Sequence, residues 1–169
     1  MKLFLIGLLG SGKSVLGKEL SQRVKLPFID LDDVLEAQAG MKVSEIFSAK
    51  GEEHFRMIEA ASLREQSTQK EFVMATGGGT PCFHDNMMYI NKTGTSVFVN
   101  TPVSEIVKRL KGEQRKSRPL LANVSDDQLQ PTLEAMLQNR LRFYKQAHLT
   151  VNPEISTVSD ILEILQAKK

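Results

Sequence analysis

The sequence predicts an α/β fold, with a parallel sheet of about five strands in a single domain. Short apolar runs alternate with longer amphipathic stretches along the chain. Strands that are separated by helices of about ten residues or more need crossover connections, which make neighbouring strands parallel. The length of 169 residues fits one domain, and 41% hydrophobic and 25% charged residues are typical of a globular protein.

Five apolar runs predict the strands, and apolar residues at i, i+3 and i+4 between those runs predict six helices. The strands are predicted at residues 2–6, 28–29, 72–75, 96–99 and 149–151. The helices are predicted at residues 13–24, 34–39, 52–66, 103–111, 125–146 and 157–167. No repeat or low-complexity segment is visible in the sequence, so we expect one domain over residues 1–169.

The apolar N-terminus, Leu3 to Leu9 after Lys2, has the short apolar core of a signal peptide. No small-x-small cleavage site follows it, because the first alanine is Ala37, and the charged Lys13 comes almost at once. No later apolar run approaches the roughly 20 residues that cross a bilayer. We therefore expect a cytoplasmic protein with no membrane partner.

The charge balance excludes a general polyanion binder, because 22 Lys and Arg against 20 Asp and Glu leave a net charge of +2. A single cysteine, Cys82, excludes an intramolecular disulfide and every metal site built from several cysteines. No His and Asp constellation accompanies Cys82, and we interpret it as a packing residue. We expect a monomer with no nucleic-acid partner.

A phosphate-binding loop follows the first predicted strand. Residues Gly7 to Ser14, Gly-Leu-Leu-Gly-Ser-Gly-Lys-Ser, match G-x-x-x-x-G-K-[ST] in full. Backbone N–H groups and the start of the next helix can wrap a phosphate there, with Lys13 on the β- and γ-phosphates and the Ser14 hydroxyl on Mg²⁺. The predicted ATP-binding residues of this segment are Gly10, Ser11, Gly12, Lys13, Ser14 and Val15.

This loop alone does not separate a kinase from a GTPase or a motor protein. A guanine-specific switch needs N-K-x-D, and the segment Asn91 to Gly94 has glycine at the position of that aspartate. We interpret this segment as a turn. The chain is too short for the additional modules of a helicase or a transporter ATPase.

Three carboxylates follow the second predicted strand. Asp30 and Asp32 are two residues apart, so on an extended segment they point the same way, towards the phosphate loop. Asp30 is predicted to hold a magnesium-bound water, and Asp32 to accept a hydrogen bond from a substrate hydroxyl. The alternative is capping of the helix near Val34, which we favour for Asp33 but not for the other two.

An arginine lies between two acids on the third predicted helix. Glu52, Arg56 and Glu59 share one helical face at i, i+4 and i+7, so the acids can hold the guanidinium in one orientation. An arginine fork held in this way suits a carboxylate ligand. The alternative is an exposed helical ion pair.

Three glycines, Gly77, Gly78 and Gly79, come at the carboxyl end of the third predicted strand. Open α/β sheets bind ligands at that edge, and glycines offer bare backbone to a substrate. A flexible turn is the alternative.

Six basic residues lie between positions 108 and 118: Lys108, Arg109, Lys111, Arg115, Lys116 and Arg118. Nucleic-acid binding is one interpretation, but the interleaved aromatic residues of a stacking platform are missing. A lid over a triphosphate, about residues 112–123, accounts for the same charges and is expected to be mobile in the free protein. Its charged tip at Arg118 is joined to an apolar foot, Pro119 to Leu121. Arg140 adds a cation on the long helix near the C-terminus.

Six motifs in this order resemble one family, shikimate kinase. They are the phosphate loop, D-x-D at 30–32, G-E-x-x-F-R-x-x-E at 51–59, T-G-G-G at 76–79, R-P-L-L at 118–121 and R-x-x-x-Y at 140–144. The resemblance covers nearly the whole chain. It implies a five-stranded parallel sheet flanked by helices, similar to nucleoside monophosphate kinases, with a shikimate-binding segment at about 31–61 and the mobile lid.

On the acceptor side, the resemblance implies that Asp32 binds the shikimate hydroxyls and that Arg56 and Arg140 bind the carboxylate, with the three glycines beside the substrate. Family members commonly have proline two residues after the arginine that matches Arg140, where this chain has Arg142. Arg142 therefore competes with Arg140 for the carboxylate role.

On the nucleotide side, the resemblance implies that Arg118 reaches over the ATP phosphates and that Arg109 lies beside the adenine. The expected reaction is transfer of the ATP γ-phosphate to the shikimate 3-hydroxyl, with Lys13, Mg²⁺ and Arg118 stabilising charge. Asp32 either accepts the proton or orients the hydroxyl. The alternatives are another small P-loop kinase, such as a gluconate kinase, and a nucleotide-binding regulatory module without catalysis.

Overall fold

The computed structural model describes residues 1–110, 115 and 118–167. These residues form one five-stranded sheet, and every strand pairing in it is parallel, in the order β2-β3-β1-β4-β5. The strands are β1 Lys2–Ile6, β2 Phe28–Asp30, β3 Phe72–Ala75, β4 Thr95–Val99 and β5 Leu149–Val151. The predicted α/β fold with a parallel sheet is confirmed.

Seven α-helices flank the sheet within the described part of the chain: α1 Lys13–Val24, α2 Leu31–Ala39, α3 Val43–Gln66, α4 Asn86–Thr93, α5 Val103–Arg109, α6 Asp126–Tyr144 and α7 Val158–Ala167. The side chains of the central strand β1 alternate between the two faces of the sheet, so they contact helices on both sides. Leu3 and Leu5 pack with the side of α1 and α7, whereas Phe4 and Ile6 pack with the side of α2, α3, α4 and α6.

The helix α4 was absent from the sequence-based prediction, which placed a turn at residues 91–94. The structure corrects this interpretation: Asn91 to Thr93 complete the helix, and the Gly94 N–H donates to the Ile90 carbonyl at 3.0 Å. Met87 and Ile90, three residues apart, are the two apolar side chains that this helix buries. A helix of 8 residues with so little apolar periodicity gives a weak sequence pattern.

The helix α3 begins earlier than the predicted residue 52. It starts at Val43 and is interrupted at Gly51, whose φ of 81° and ψ of 170° are not helical. Glycine tolerates this left-handed φ at little cost, so the chain changes direction there. The two parts of α3 contact each other across this interruption, with Phe47 against Phe55 at a ring centroid distance of 4.5 Å.

The helix α2 also begins earlier than predicted, at Leu31, and its N-cap is Asp30. The Asp30 carboxylate accepts the backbone N–H of Asp32 at 3.1 Å. The expectation that Asp33 caps this helix is therefore wrong, because Asp33 already lies inside the first turn. Asp30 caps the helix and still keeps one carboxylate oxygen for another partner.

Two predicted segments lie partly outside the residues that the structure describes. Residues 112–114, 116 and 117 of the predicted lid lie outside them, as does residue 111 of the predicted helix 103–111. The apolar foot of the lid is described, and Pro119–Leu121 forms a short 3-10 helix with Leu121 buried. No helix in the described ranges is both long enough and apolar enough to cross a membrane.

Candidate active site

Two cavities open at the carboxyl edge of the sheet. The larger, with a volume of about 730 Å³, surrounds the loop between β1 and α1 and is called the loop cavity below. The smaller, with a volume of about 410 Å³, lies between α2, α3, the glycine turn after β3 and α6, and is called the arginine cavity. Both are lined by Leu9, Asp32, Gly77, Gly78 and Arg118. The two cavities therefore meet at these five residues.

Every predicted site residue lines one of these cavities. The loop cavity is lined by Gly10, Ser11, Gly12, Lys13, Ser14, Val15, Asp30, Arg109 and Arg118. The arginine cavity is lined by Asp32, Arg56, Gly77, Gly78, Gly79, Arg118 and Arg140. Residues up to 130 positions apart in sequence thus meet at one edge of the sheet (Gly10 to Arg140).

The loop that carries the phosphate motif is held in a fixed shape by its own contacts. Gly10 and Gly12 have φ values of 75° and 90°, which glycine adopts without steric cost. The Thr101 hydroxyl donates to the Ser11 carbonyl at 2.7 Å and ties the loop to the segment after β4. The loop leads directly into α1, and Gly10 to Ser14 line the cavity.

Lys13 is buried at the floor of the loop cavity. Its ammonium group donates to the carbonyl oxygens of Gly7 at 3.0 Å and Leu8 at 2.9 Å. Burial lowers the pKa of Lys13 to about 8, and the nearby Arg118 guanidinium acts in the same direction. The carboxylates of Asp32 and Asp30 act in the opposite direction, and an anion in the loop cavity would add further negative charge beside this ammonium group.

Ser14 and Asp30 form an oxygen pair beside this lysine. The Ser14 hydroxyl donates to one Asp30 carboxylate oxygen at 2.6 Å, while the other oxygen caps α2. Hydroxyl and carboxylate oxygens are the donors that Mg²⁺ prefers, usually together with waters and substrate phosphates. The chemistry of these two oxygens fits a magnesium ion, and their role as magnesium residues stays a prediction.

Asp32 lies where the cavities meet, on the first turn of α2. Burial raises the pKa of Asp32 to about 6, and the adjacent carboxylates of Asp30 and Glu59 act in the same direction. The glycine turn approaches it closely, because a Cβ atom on Gly77 would lie 3.2 Å from an Asp32 carboxylate oxygen and 2.6 Å from one of Glu59. The absence of a side chain at Gly77 therefore allows the backbone to approach two carboxylates closely.

Arg56 is held by both acids that share its helical face. Its Nη1 donates to Glu59 at 2.9 Å, and its Nε and Nη2 donate to Glu52 at 3.2 and 3.0 Å. The guanidinium also lies over the Phe83 ring at 4.5 Å from the centroid. Because Arg56 is only 4% exposed, the alternative of an exposed ion pair is wrong. A buried, oriented guanidinium faces the arginine cavity instead.

Arg140 and Arg142 differ in position. Arg140 lines the arginine cavity, and a Cβ atom on Gly78 would lie 3.3 Å from its Nη1. Arg142, one half-turn further along α6, is exposed and lies over the Phe143 ring at 4.8 Å. The geometry favours Arg140 for the carboxylate role.

The remaining basic cluster is partly neutralised by ion pairs within the chain. Lys108 pairs with Glu105 at 2.7 Å, and Arg115 pairs with Asp126. Arg109 pairs with Glu154 and donates to the Gly10 carbonyl at 3.4 Å, at the outer end of the loop cavity. Arg109 and Arg118 both line the loop cavity.

The chain is similar to shikimate kinases in sequence and in structure. The shikimate kinase family model matches residues 9–168. The chain belongs to the shikimate kinase family. A shikimate kinase from Parabacteroides distasonis is 40% identical over 167 residues, which cover 98% of this chain and 96% of that protein.

Two solved structures of shikimate kinases superimpose closely on this fold. The enzyme from Bacteroides thetaiotaomicron has a TM-score of 0.91 at 35% identity and covers 98% of each chain. The enzyme from Acinetobacter baumannii, solved in complex with shikimate, has a TM-score of 0.91 at 29% identity and covers 99% of this chain and 94% of that chain. The predicted family is confirmed, and the protein is a kinase.

Sequence reasoning missed several residues of this shikimate kinase fold that line or support the cavities. Tyr144 of α6 donates its hydroxyl to the Gly78 carbonyl at 2.5 Å, and burial raises its pKa above the usual range, which keeps the hydroxyl protonated. Phe47 lines the arginine cavity and Glu154 the loop cavity. The R-x-x-x-Y spacing could have indicated Tyr144, whereas no local pattern marks Phe47 or Glu154.

Proposed function

We propose that the protein transfers the γ-phosphate of ATP to the 3-hydroxyl of shikimate, giving shikimate 3-phosphate and ADP. One observation carries this proposal: the loop cavity and the arginine cavity, which holds Arg56 and Arg140, meet at one shared carboxylate, Asp32. A phosphate donor in the first and a hydroxylated carboxylic acid in the second would face each other there. The family relationship and a relative solved in complex with shikimate support this choice of acceptor.

The ATP phosphates bind, in this proposal, to the loop between β1 and α1. Its backbone N–H groups and Lys13 contact the β- and γ-phosphates, and Arg118 reaches them from the lid. Arg109 lies beside the adenine at the outer end of the loop cavity, where Pro153 and Val158 add apolar surface.

Shikimate binds in the arginine cavity. Arg56 and Arg140 contact its carboxylate, because guanidinium forks match a carboxylate in geometry as well as in charge. Gly77 to Gly79 present backbone to the ring. Phe47 and Leu120 cover its apolar face. Asp32 then contacts the hydroxyl that points towards the loop cavity.

The chemical step is an in-line displacement at the γ-phosphorus. The 3-hydroxyl oxygen forms the new P–O bond, the bond to the bridging oxygen breaks, and ADP leaves with that electron pair. The hydroxyl proton passes to Asp32, whose pKa of about 6 leaves it ionised and able to accept a proton at neutral pH. Lys13 and Arg118 stabilise the negative charge that shifts towards the leaving oxygen.

Mg²⁺ is the metal implied by the loop. Ser14 and Asp30 would hold it, the latter through water, and when bound it neutralises charge on the β- and γ-phosphates. One chain supplies every residue of both cavities, so we propose that the active unit is a monomer. We also propose that residues 1–169 form one kinase domain, with the acceptor segment at about 31–61 and the lid at about 112–123.

Acceptor-dependent release of ADP tests this function. With Mg·ATP, we expect shikimate to stimulate ADP release strongly and gluconate weakly, and mass spectrometry should show shikimate 3-phosphate. Equal stimulation by gluconate would support the alternative kinase. Nucleotide binding without stimulation by either acid would support a regulatory module instead.

A further inference from the structure

A chain of buried polar groups leads from Arg56 away from the arginine cavity. Arg56 Nη1 donates to Glu59 Oε2 at 2.9 Å, and the Thr80 hydroxyl donates to Glu59 Oε1 at 2.6 Å. Asn86 Nδ2 donates to the Thr80 carbonyl at 2.9 Å, and Arg64 Nη1 donates to Asn86 Oδ1 at 2.8 Å. The chain joins α3, the turn after β3 and α4 through side chains.

The middle of this chain is sealed from water. Glu59, Thr80 and Asn86 are each 0% exposed. A buried carboxylate is costly unless both oxygens have hydrogen-bond partners, and here one oxygen is held by Arg56 and the other by Thr80. Thr80 is in turn fixed by Asn86 through its carbonyl. The Glu59 carboxylate therefore has one orientation that satisfies both oxygens.

The same contacts determine how Arg56 faces the cavity. A guanidinium has five N–H donors. In Arg56, Nε and Nη2 each donate one hydrogen bond to Glu52, and Nη1 donates one to Glu59. One donor on each Nη nitrogen is left for a ligand carboxylate. A rotation of the Glu59 carboxylate would move the Nη1 side of this fork.

The space around Glu59 gives the carboxylate little freedom on the side of the glycine turn. A Cβ atom on Gly77 would lie 2.6 Å from Glu59 Oε1 and 2.9 Å from the Thr80 hydroxyl. A Cβ atom on Gly79 would lie 2.5 Å from Arg56 Nη2. The turn is thus packed directly on the Arg56–Glu59–Thr80 contacts, and the Thr80 hydroxyl is the group that keeps Glu59 Oε1 in place.

We propose that Thr80 is a positioning residue for recognition of the acceptor carboxylate. Its hydroxyl fixes Glu59, and Glu59 fixes the fork of Arg56, so Thr80 acts on a ligand that it does not touch. Asn86 supports the same arrangement one step further away. This inference rests on the proposed function, since it assumes that Arg56 binds the carboxylate of shikimate.

The variant Thr80→Val tests the proposal, because it replaces the hydroxyl by a methyl group of similar shape. Loss of one hydrogen bond to a charged group costs a factor of about ten in binding. We therefore expect the KM for shikimate to rise about tenfold, with kcat and the KM for ATP within about twofold of wild type. Thr80→Ser restores the hydroxyl and should restore the KM.

An acceptor without the charged carboxylate separates positioning from a general structural effect. With shikimate methyl ester as acceptor, the ratio of kcat/KM between wild type and Thr80→Val should be close to one. A matched control is Ser67→Ala, because the Ser67 hydroxyl is also buried and donates to the Leu63 carbonyl at 2.6 Å, and Ser67 lines neither cavity. Ser67→Ala should leave the KM for shikimate unchanged.

An unchanged KM in Thr80→Val, or an equal loss with shikimate and its methyl ester, would overturn the proposal. Thr80→Ala replaces the valine variant if the latter does not fold, and the same two ratios are measured. The proposed function fails separately: wild-type protein without shikimate-dependent ADP release refutes that function, whereas an active wild type with an unaffected Thr80→Val refutes only the positioning role.

Discussion

The loop cavity and the arginine cavity are built in different ways. The loop cavity is built around one continuous segment, Leu9 to Leu16, which contains the glycine-rich turn and the Lys13 ammonium group. The arginine cavity takes side chains from α2, α3 and α6 and backbone from the turn after β3. The first is local in sequence, and the second exists only after the sheet and its helices have packed.

This difference separates what each cavity recognises. Backbone donors with a nearby ammonium bind phosphate without regard to the rest of the molecule that carries it. Fixed guanidinium groups with surrounding aromatic rings select for the position of a carboxylate on a ring. Variants in the loop cavity should therefore change turnover, variants in the arginine cavity should change shikimate binding, and Asp32, at the junction, should affect the chemistry that joins them.

The largest effect is expected at the junction. Asp32→Asn removes the group that accepts the hydroxyl proton and should lower kcat by about 10³-fold or more. Calorimetry should still detect binding of Mg·ATP, because the amide leaves the phosphate loop unchanged. Near-wild-type turnover of this variant would show that the hydroxyl proton leaves without help from Asp32.

The next largest effect is expected in the loop cavity. Lys13→Ala should lower kcat by about 10²- to 10³-fold, the usual cost of removing one charge-stabilising donor from a transition state. Its melting temperature without ligand should stay near that of wild type. Lys18→Ala, an exposed lysine on the same helix, is the matched control and should keep full turnover. Comparable turnover in both variants would refute the assignment of the phosphate loop.

A smaller effect is expected in the arginine cavity. Arg140→Ala should raise the KM for shikimate by about 10- to 100-fold through loss of a charge-assisted hydrogen bond, with a smaller change in the KM for ATP. Arg142→Ala provides the matched control, because its guanidinium lies over Phe143 and not in the cavity. If the control variant had the larger effect, the assignment of the carboxylate to Arg140 would be reversed.

The smallest expected effect concerns stability. The pKa of Asp32 is raised from 3.8 to about 6 in the folded protein, so ionisation of this carboxyl opposes folding as the pH rises through that interval. Below pH 3.8 the unfolded and folded chains both carry it protonated, and the penalty is absent. Asp32→Asn should therefore melt a few degrees higher than wild type at pH 7, and the difference should shrink towards pH 4. Equal melting curves at pH 7 would contradict the raised pKa.

The same contrast explains what could be predicted from the sequence. The phosphate loop, the parallel strands and the long helices could be predicted because each has a local pattern in the sequence. Every residue that the motifs assigned to the site lines one of the two cavities, whereas Phe47 and Glu154 line them without any local pattern to mark them. The ion pairs of Arg56 followed from the i, i+4 and i+7 spacing of the acids around it.

Other features depend on packing that has no local pattern. The helix α4 buries only Met87 and Ile90 among its apolar residues, so its periodicity is short. The capping of α2 by Asp30 could not be distinguished from capping by Asp33, because both are good capping residues and the start of the helix decides between them. Thr80 and Asn86 meet Glu59 and Arg64 only in the folded chain.

Most residues of the arginine cavity come from one stretch of sequence on one side of the sheet. Asp32, Arg56 and the three glycines all lie between the start of α2 and the end of the turn after β3, on one side of the central strand β1. A recombination event that exchanges residues 31–79 between two relatives would carry this acceptor wall as a unit and leave the phosphate loop untouched. Arg140, encoded more than 60 residues later, would stay behind with the recipient. Because the proposed carboxylate site uses both Arg56 and Arg140, a chimera that exchanges only residues 31–79 should bind its acid with one guanidinium in the wrong place.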